Sequence, residues 1–261
     1  MKPITKYQGG KTREIPLIET LKPKIFSRVL EPFCGGAAVS FHYGNPSVLN
    51  DLNCNLINLY EVVRGSEFPL LLHEVLRTKE MDHDELEKVY YESRELINSE
   101  DGSSLERAYS FIVIKQLAFS GMERYNSEGK FNVPFGHYKK FSCQLSPSHH
   151  EFLKKCELSC GDAIEVLERA KEDDFVFLDP PYLDRLGYES GDGGEMHVRL
   201  VRAMKECQGQ WMFIHSDHKF YREELGEFVW YEKDFKYAQN FGKGKDHSGS
   251  KVKHIYVRNY E

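Results

Sequence analysis

The tetrapeptide Asp179-Pro180-Pro181-Tyr182 is the strongest chemical signal in the sequence, because it directly follows the apolar run 175–178. Such a run predicts a buried parallel strand, and the carboxyl ends of parallel strands carry the binding sites of α/β proteins. The prolines stiffen the turn and lack N–H donors, so the Asp179 carboxylate and the Pro180 carbonyl can both accept hydrogens from a planar amino group. Tyr182 can stack on the ring that carries that group. The motif predicts a holder for an exocyclic amine, which suits methyl transfer to a nucleobase nitrogen.

A second candidate site is the glycine turn Gly35-Gly36, which separates a predicted strand (29–33) from a predicted helix. A turn of this kind lets backbone N–H groups approach a ligand closely. Asp51 ends the next predicted strand, where a carboxylate suits the ribose diol of a cofactor. A nicotinamide dinucleotide is the alternative, but it would require a GxGxxG sequence, which residues 35–40 lack.

The hydrophobic periodicities predict a doubly wound α/β sheet with a helical insertion. Strand and helix patterns alternate on both sides of the insertion, whereas 67–118 contains helical patterns alone. Residues 129–141, with Pro134 and Gly136 among aromatics, predict a hairpin or an ordered loop. The predicted strands are 29–33, 47–50, 158–160, 175–178, 210–214, 229–235 and 253–257; the predicted helices begin at 37 and cover 55–64, 84–98, 105–117, 163–170 and 196–207; glycine-rich loops are predicted at 187–194 and 242–250.

Length and composition limit the class of protein. A chain of 261 residues can bury the core of one α/β domain with a modest insertion. The sequence contains no run of roughly 20 apolar residues and no signal-peptide core, so we expect a cytoplasmic protein with no membrane contact. Its 6 cysteines show no CxxC pair and no zinc-ligand spacing, which favours free thiols and no bound metal.

The formal net charge of −6 at pH 7 argues mildly against a polyanionic partner. Local charge is more informative, because 124–140 and 236–258 are both basic. Such segments can bind nucleic acid within an acidic protein.

The sequence resembles the Dam family of DNA adenine N6-methyltransferases along its whole length. Segment 129–140 is the most specific, since the other motifs occur in many methyltransferases. Ser120, Met122 and Glu123 depart from the bacterial members. The matching segments, in the family's order, are 6–11 (Lys-Tyr-Gln-Gly-Gly-Lys), 31–36 (Glu-Pro-Phe-Cys-Gly-Gly), 50–51 (Asn-Asp), 124–126 (Arg-Tyr-Asn) with 129–140, and 179–182.

The resemblance implies a Rossmann-like methyltransferase fold that uses S-adenosylmethionine, with a catalytic domain (1–60 and 157–261) and an inserted target-recognition domain (61–156) that carries a β-hairpin. Asp162 would accept from the adenine amine of the cofactor, with a helix N-cap as the alternative. A solvated surface lysine is the alternative for Lys11. The residues implied to line the cofactor pocket are Tyr7, Lys11, Phe33, Gly35, Asp51, Asp162 and Asp179.

The same resemblance implies that the substrate is an adenine flipped out of double-stranded DNA, within GATC, and it implies no obligate protein partner. Lys6 and Arg124 would each read a guanine. Phe119 would wedge into the base stack, or alternatively belong to the core of the preceding helix. Asn126 is also implied to contact DNA, although stabilisation of a turn is the favoured alternative. Pro134 would lie near a thymine methyl. Tyr138, Lys139 and Lys140 would contact phosphates; an exposed charged turn is the alternative for the two lysines.

Two other classes of function remain open. The Asp-Pro-Pro-Tyr motif also resembles that of enzymes that methylate RNA or protein glutamine, but those enzymes lack a segment like 129–140. A catalytically inactive DNA-binding relative is the third class, although the intact motifs do not favour it. The sequence does not decide whether the protein acts beside a restriction nuclease.

Overall fold

The structure is a computed structural model that describes residues 1–99, 101–183, 192–236 and 251–261. The predicted glycine-rich loop 242–250 and most of the predicted loop 187–194 lie outside the described residues.

A seven-stranded sheet forms the centre of the fold, in the order β3-β2-β1-β4-β5-β7-β6. β3, β2, β1, β4 and β5 are parallel, and β7 is antiparallel to both β5 and β6. This sheet confirms the predicted doubly wound α/β class. The strands are β1 (Arg28–Glu31), β2 (Ser47–Asp51), β3 (Cys156–Cys160), β4 (Asp174–Leu178), β5 (Gln210–Ser216), β6 (Val229–Lys236) and β7 (Lys251–Arg258).

Helices cover both faces of the sheet and extend into the insertion. They are α1 (Ile15–Leu21), α2 (Ala38–Tyr43), α3 (Cys54–Arg64), α4 (Phe68–Thr78), α5 (His83–Asn98), α6 (Ser104–Leu117), α7 (Pro147–Leu153), α8 (Ala163–Glu168), α9 (Asp192–Glu206) and α10 (Lys219–Glu224), with 3-10 turns at Lys11–Arg13 and Phe119–Gly121. The sequence did not predict α1, α7 or the first 3-10 turn.

Alternate residues of the central strands pack on opposite faces of the sheet. Val176 and Leu178 lie in a cluster with α8 and α9, whereas Phe175 and Phe177 pack with α1 and α2. Because both faces are covered, β4 is a continuous apolar run. The register pairs Glu31 with Leu49 in the parallel β1–β2 pair, so the loops after these strands meet at one edge of the sheet.

The insertion begins with α4, α5 and α6. Capping boxes define the first turns of α5 and α6, with Asp82 and Ser103 as N-caps. α6 packs against α3, and one apolar cluster joins Leu59 of α3 to Phe111 of α6. α3 runs through residue 60, so the predicted domain boundary falls inside a helix that both parts share.

The predicted hairpin follows α6 as a ribbon with two isolated antiparallel bridges, Ala118–Phe135 and Tyr125–Phe131. We call residues 118–136 the recognition ribbon. Its apolar side chains Phe131 and Phe135 are buried against the insertion helices, so its backbone is anchored while the turn residues stay exposed.

One prediction about the cysteines is wrong. Cys54, at the start of α3, and Cys160, at the end of β3, form a disulfide. Both are exposed, and they come together because β2 and β3 are neighbours in register, with Asp51 opposite Cys160. A search for local cysteine spacing misses this pair, since 106 positions separate the two residues. The remaining cysteines, Cys34, Cys143, Cys156 and Cys207, are free.

Within the described residues, no helix is long and apolar enough to cross a membrane.

Candidate active site

The turn after β1 is shaped by close contact between a glycine and an aromatic ring. Gly35 has a φ of +45°, in the left-handed region that favours glycine. A Cβ at this position would lie 3.0 Å from ring carbons of Tyr7. The N–H of Gly35 donates to Oδ2 of Asp51 at 2.9 Å. The structure therefore brings together three residues predicted to line the cofactor pocket.

Asp51 is a half-buried carboxylate at the end of β2. Its Oδ1 accepts from the N–H of Asn53 at 2.9 Å, so each oxygen holds one backbone donor. Burial raises the pKa of Asp51, and these two hydrogen bonds oppose the shift. Each oxygen has a second lone pair with which it can accept from a ribose diol. Phe33, also predicted in this pocket, is half-buried against the cluster on the α8 side.

Asn50 hydrogen-bonds the loops after β1 and β3 and the end of β3 itself, a role that the sequence analysis did not assign. Its Nδ2 donates to the carbonyl oxygens of Pro32 and Gly161, each at 2.9 Å. Its Oδ1 accepts from the Ser159 hydroxyl at 2.7 Å. A buried asparagine immediately before the pocket carboxylate was the available signal, because such a group must find several partners.

Lys11 and Asp179 form a buried ion pair at the end of β4. Lys11 Nζ lies 2.6 Å from Asp179 Oδ2 and also donates to the Gly9 carbonyl at 2.8 Å. Only 4% of the lysine side chain is exposed, so the alternative of a surface lysine is wrong. Burial raises the pKa of Asp179, and the charge and hydrogen bond of Lys11 oppose that rise.

Glu31 is a third carboxylate near this edge, and the sequence analysis gave it no role. Its Oε1 accepts from the N–H of Ser40 at 2.7 Å. Burial raises the pKa of Glu31 to about 7, against the hydrogen bonds of Ser40 and with a small contribution from the charge of Asp179. Near neutral pH the side chain therefore carries less than a full negative charge beneath the site.

Tyr182 is half-buried at the other end of the tetrapeptide. Lys11 Nζ lies 5.5 Å from the centre of its ring. Pro180 is buried and Pro181 is exposed. The carboxylate of Asp179 and the ring of Tyr182 thus both lie beside Lys11.

Asp162 caps α8, as the alternative hypothesis stated. Its Oδ1 accepts from the N–H of Ile164 at 3.0 Å, and its Oδ2 lies 2.7 Å from Arg199 NH2. The hydrogen bond from Ile164 lowers the pKa of Asp162 most, and the hydrogen bond and charge of Arg199 lower it further. A contact between Asp162 and the cofactor's adenine stays a prediction. The adenine amine and Arg199 would then bind the same carboxylate.

The recognition ribbon presents Arg124 with its guanidinium already held. Arg124 Nε donates to Asn132 Oδ1 at 2.7 Å, and NH2 donates to the Asn132 carbonyl at 3.1 Å. Asn126 accepts from the N–H groups of Glu128 and Lys130, so its predicted role in stabilising the turn is confirmed. Asn132 lies within the matching segment 129–140, but the sequence analysis gave it no role.

Phe119 lies in the short 3-10 turn after α6, with 45% of the side chain exposed. The alternative that Phe119 belongs to the helix core is wrong. Its N–H donates to the carbonyl of Pro134, itself exposed, at 2.9 Å. The predicted wedge and the predicted thymine contact therefore occupy neighbouring positions on the ribbon.

Lys6 joins the amino-terminal segment to α6 and to Tyr138, two positions after the ribbon. Its Nζ donates to the Gln116 carbonyl at 3.0 Å and lies 4.2 Å from the centre of the Tyr138 ring. Burial lowers the pKa of Lys6. Lys139 and Lys140 are exposed, so the structure is compatible with both hypotheses for this pair.

Glu123 connects the ribbon to the cofactor side. It pairs with Lys115 at 2.6 Å, accepts from the Tyr125 hydroxyl at 2.9 Å and lies 3.5 Å from Asn53 Nδ2. Lys115 Nζ in turn lies 4.1 Å from the centre of the Tyr7 ring. A residue at which the sequence departs from the bacterial Dam pattern thus links the predicted DNA-contacting segment to the predicted cofactor pocket.

Comparisons with known proteins agree with this geometry. The family model described as D12 class N6 adenine-specific DNA methyltransferase matches residues 7–239. The chain is 32% identical to the type II methyltransferase M.CviBI of Paramecium bursaria Chlorella virus NC1A, with 100% of both chains covered. It is 31% identical to the type II methyltransferase M1.LlaDCHI of Lactococcus lactis subsp. cremoris, over 100% of this chain and 96% of the relative.

Dam enzymes are also among the relatives. The DNA adenine methylase of Escherichia coli is 31% identical over 68% of this chain and 63% of its own length. The family match covers both the Asp179 edge of the sheet and the recognition ribbon. The chain therefore belongs to the D12 class of N6 adenine-specific DNA methyltransferases.

Proposed function

We propose that this protein transfers a methyl group from S-adenosylmethionine to N6 of an adenine that is flipped out of duplex DNA, within the sequence GATC. The observation that carries the proposal is the Lys11–Asp179 pair beside Tyr182, at the same sheet edge as Asp51. An amine acceptor and a ribose acceptor would then lie at the ends of β4 and β2, the two strands that flank β1.

The residues around Gly35 fit a nucleoside cofactor. The Asp51 carboxylate would hold the ribose hydroxyls, and the absence of a side chain at Gly35 lets the Tyr7 ring pack against the turn. Tyr7 and Phe33 supply apolar surface on either side of the turn. When bound, S-adenosylmethionine supplies an electrophilic methyl group on its sulfonium.

The chain's own contribution to the chemistry is to hold the amine. The lone pair of an adenine amine is delocalised into the ring, which makes the amine a poor nucleophile. Asp179 and the Pro180 carbonyl would accept its two N–H bonds and favour a pyramidal nitrogen with a free lone pair. The Asp179 carboxylate would also stabilise the positive charge that develops on that nitrogen. Positioning and electrostatics carry the reaction, without a covalent enzyme intermediate.

The target base must leave the helix, because its amine is not accessible inside a duplex. Flipping costs roughly a few kcal/mol, and stacking on Tyr182 would return about 1–3 kcal/mol of it. Phe119 is an exposed aromatic that can fill the space left in the stack. We assign this task, and the base reading by Arg124, to the inserted domain, 61–156.

The recognition sequence GATC is proposed from the assignment of Arg124 and Lys6 to its two guanines. Arg124 is held by Asn132 with its guanidinium exposed, as bidentate contact with a guanine edge requires. Lys6 lies beside Tyr138 and would read the second guanine, while Lys139 and Lys140 contact phosphates. Two relatives are named type II methyltransferases, which supports a role in restriction–modification.

Single-molecule sequencing of plasmid DNA from a methylation-free host that expresses the chain tests this proposal. N6-methyladenine confined to GATC is the expected result, and the Asp179→Ala variant, which should still bind DNA, is the matched control. Methylation at a different motif would retain the reaction and reject the assignments of Lys6 and Arg124. Absence of methyladenine, with methyl transfer to RNA or protein in vitro, would reject DNA as the substrate.

A further inference from the structure

A chain of buried polar groups lies behind Tyr182. The Tyr182 hydroxyl lies 3.3 Å from Nε2 of His254, a fully buried residue of β7. The other ring nitrogen, Nδ1, lies 3.1 Å from Oε2 of Glu14. The same carboxylate oxygen accepts from the hydroxyl of Tyr256. Glu14 precedes α1 and is itself buried, so this chain joins the amino-terminal segment to the tetrapeptide through the sheet.

The ionisation of Glu14 sets the direction of its hydrogen bond with His254. Burial alone would raise the pKa of Glu14, but the hydrogen bonds of His254 and Tyr256 and the charge of Lys11 lower it overall. Glu14 is therefore a carboxylate near neutral pH and accepts the hydrogen on Nδ1 of His254. In the tautomer whose only hydrogen is on Nδ1, the ring offers the Nε2 lone pair, to which the Tyr182 hydroxyl can donate.

A second imidazole supports the same ring from another side. The rings of Tyr182 and His215 have centres 4.7 Å apart. Nε2 of His215 accepts from the N–H of Leu183 at 3.1 Å, directly after the tetrapeptide. β5 and β7 pair with Ser216 opposite His254, so the strands that carry the two histidines are adjacent. The tyrosine thus has a packing partner and a hydrogen-bond partner, both on the sheet.

We propose that His254, oriented by Glu14, is a positioning residue that fixes the ring of Tyr182 in the orientation in which it stacks on the target adenine. The inference rests on the proposed function, since Tyr182 stacks on a base only if that function is correct. A tyrosine ring that rotates freely would have to lose this freedom when the base arrives. An anchored ring has already lost it, so more of the stacking energy is available to hold the base.

Substitutions at His254 can separate its two contacts. In His254→Gln the side-chain amide reaches the place of Nε2 and retains a polar partner for the Tyr182 hydroxyl. In His254→Asn the amide lies at the place of Nδ1, so contact with Glu14 is kept and contact with Tyr182 is lost. Tyr182→Phe removes the hydroxyl and leaves the stacking ring.

The rate of a single turnover on a DNA duplex, with S-adenosylmethionine saturating, is the first measurement. His254→Asn and Tyr182→Phe should each reduce this rate by about three- to tenfold, which is the value of one hydrogen bond. The double variant should lose less rate than the product of the two single effects, because both changes remove the same contact. His254→Gln should stay within about twofold of the unsubstituted protein.

The fluorescence of 2-aminopurine placed at the target position gives a readout that general destabilisation does not move. The probe brightens when it leaves the base stack and is quenched again by an aromatic ring that stacks on it. His254→Asn should give a brighter complex than His254→Gln at equal DNA occupancy. Cofactor affinity, measured by calorimetry, should be the same in both.

Additive effects of His254→Asn and Tyr182→Phe, equal effects of the Asn and Gln variants, or an unchanged rate in Tyr182→Phe would overturn the inference. If thermal unfolding shows that His254→Asn does not fold, Glu14→Gln replaces it in the cycle with Tyr182→Phe. Failure of the proposed function has a different signature, since the unsubstituted protein would then methylate no adenine in DNA, and the inference would be rejected with it.

Discussion

Lys11 Nζ and Asp179 Oδ2 lie 2.6 Å apart, although 168 positions separate the two residues in the sequence. The lysine comes from the 3-10 turn at Lys11–Arg13, and the aspartate follows β4. The pair brings a residue that looks like a surface lysine into the centre of the candidate site. It also sets the ionisation of the proposed amine acceptor, because Lys11 opposes the effect of burial on the pKa of Asp179.

Lys11→Met should make methylation depend more strongly on pH. Burial already raises the pKa of Asp179, and loss of Lys11 removes the charge that opposes it, so the pKa rises further. The carboxylate form is then lost at a higher pH, and the acid limb of the rate profile shifts to higher pH. We expect a rate loss of more than about tenfold near about pH 6 and a smaller loss near about pH 9.

Single-turnover rates measured across this pH range check the prediction. Lys11→Arg keeps the charge and should shift the acid limb less than Lys11→Met does. Lys24→Met, at an exposed position, should leave the profile unchanged. An equal loss at every pH would assign Lys11 to binding rather than to the ionisation of Asp179.

Gly35→Ala should weaken cofactor affinity in addition to lowering the free energy of unfolding. Both Gly35 and Gly44 have a positive φ, so alanine costs roughly 1–2 kcal/mol of backbone strain at either position. A Cβ at Gly35 would also push on the Tyr7 ring at 3.0 Å, whereas a Cβ at Gly44 meets nothing within 4 Å.

Thermal unfolding and calorimetry with S-adenosylmethionine separate the two effects. Gly44→Ala is the matched control and should lower the melting temperature with unchanged cofactor affinity. Gly35→Ala should lower the melting temperature at least as much and also weaken affinity by about tenfold or more. Equal cofactor affinities of the two variants would contradict the assignment of the Tyr7–Gly35 contact to the pocket.

The sheet could be predicted from sequence because its strands are short apolar runs with clear ends. Each predicted strand overlaps an observed one, and the insertion helices are where helical patterning placed them. α1 and α7 were missed because each begins at or beside a proline, which favours a turn interpretation, and neither follows a predicted strand, as the equally short α2 and α8 do.

Site residues that belong to a sequence motif could be predicted, whereas contacts between segments far apart in the sequence could not. Asp51, Asp179 and Tyr182 follow strands and could be found from that position alone. Lys11 was assigned to the pocket through the matching segment 6–11, but its pairing with Asp179 was not predicted. That pairing, the role of His254 and the Cys54–Cys160 bond depend on the tertiary fold, since each partner lies more than about fifty positions away, beyond the reach of local patterns. Asn132 was missed because its role is to hold Arg124 across the ribbon.

Arg124→Ala should relax base choice at one position of the recognition site. A bidentate contact with guanine is worth about 1–3 kcal/mol of discrimination, so the preference at that position should fall by roughly tenfold or more. Asn132→Ala should reduce the same preference to a smaller extent, because it leaves the guanidinium in place without its two hydrogen bonds.

Methylation rates on duplexes that vary at each site position test both variants, with Lys139→Ala as the control. Because Lys139 is assigned to a phosphate, Lys139→Ala should weaken binding to all duplexes equally. A uniform loss of affinity in Arg124→Ala would show that Arg124 contacts the backbone instead of a base.

Reduction of the Cys54–Cys160 bond should destabilise the protein. The bond closes a loop of 106 positions, and in the chain-entropy account a loop of about 100 residues is worth roughly 4–5 kcal/mol. For a chain of this size that corresponds to about 10 °C or more in melting temperature.

Thermal unfolding with and without dithiothreitol measures the effect. Cys54→Ser should unfold at the temperature of the reduced protein and show no response to the reductant. Cys207→Ser removes a free thiol and should respond as the unsubstituted protein does. An equal response in Cys54→Ser would show that the stabilising bond does not involve Cys54.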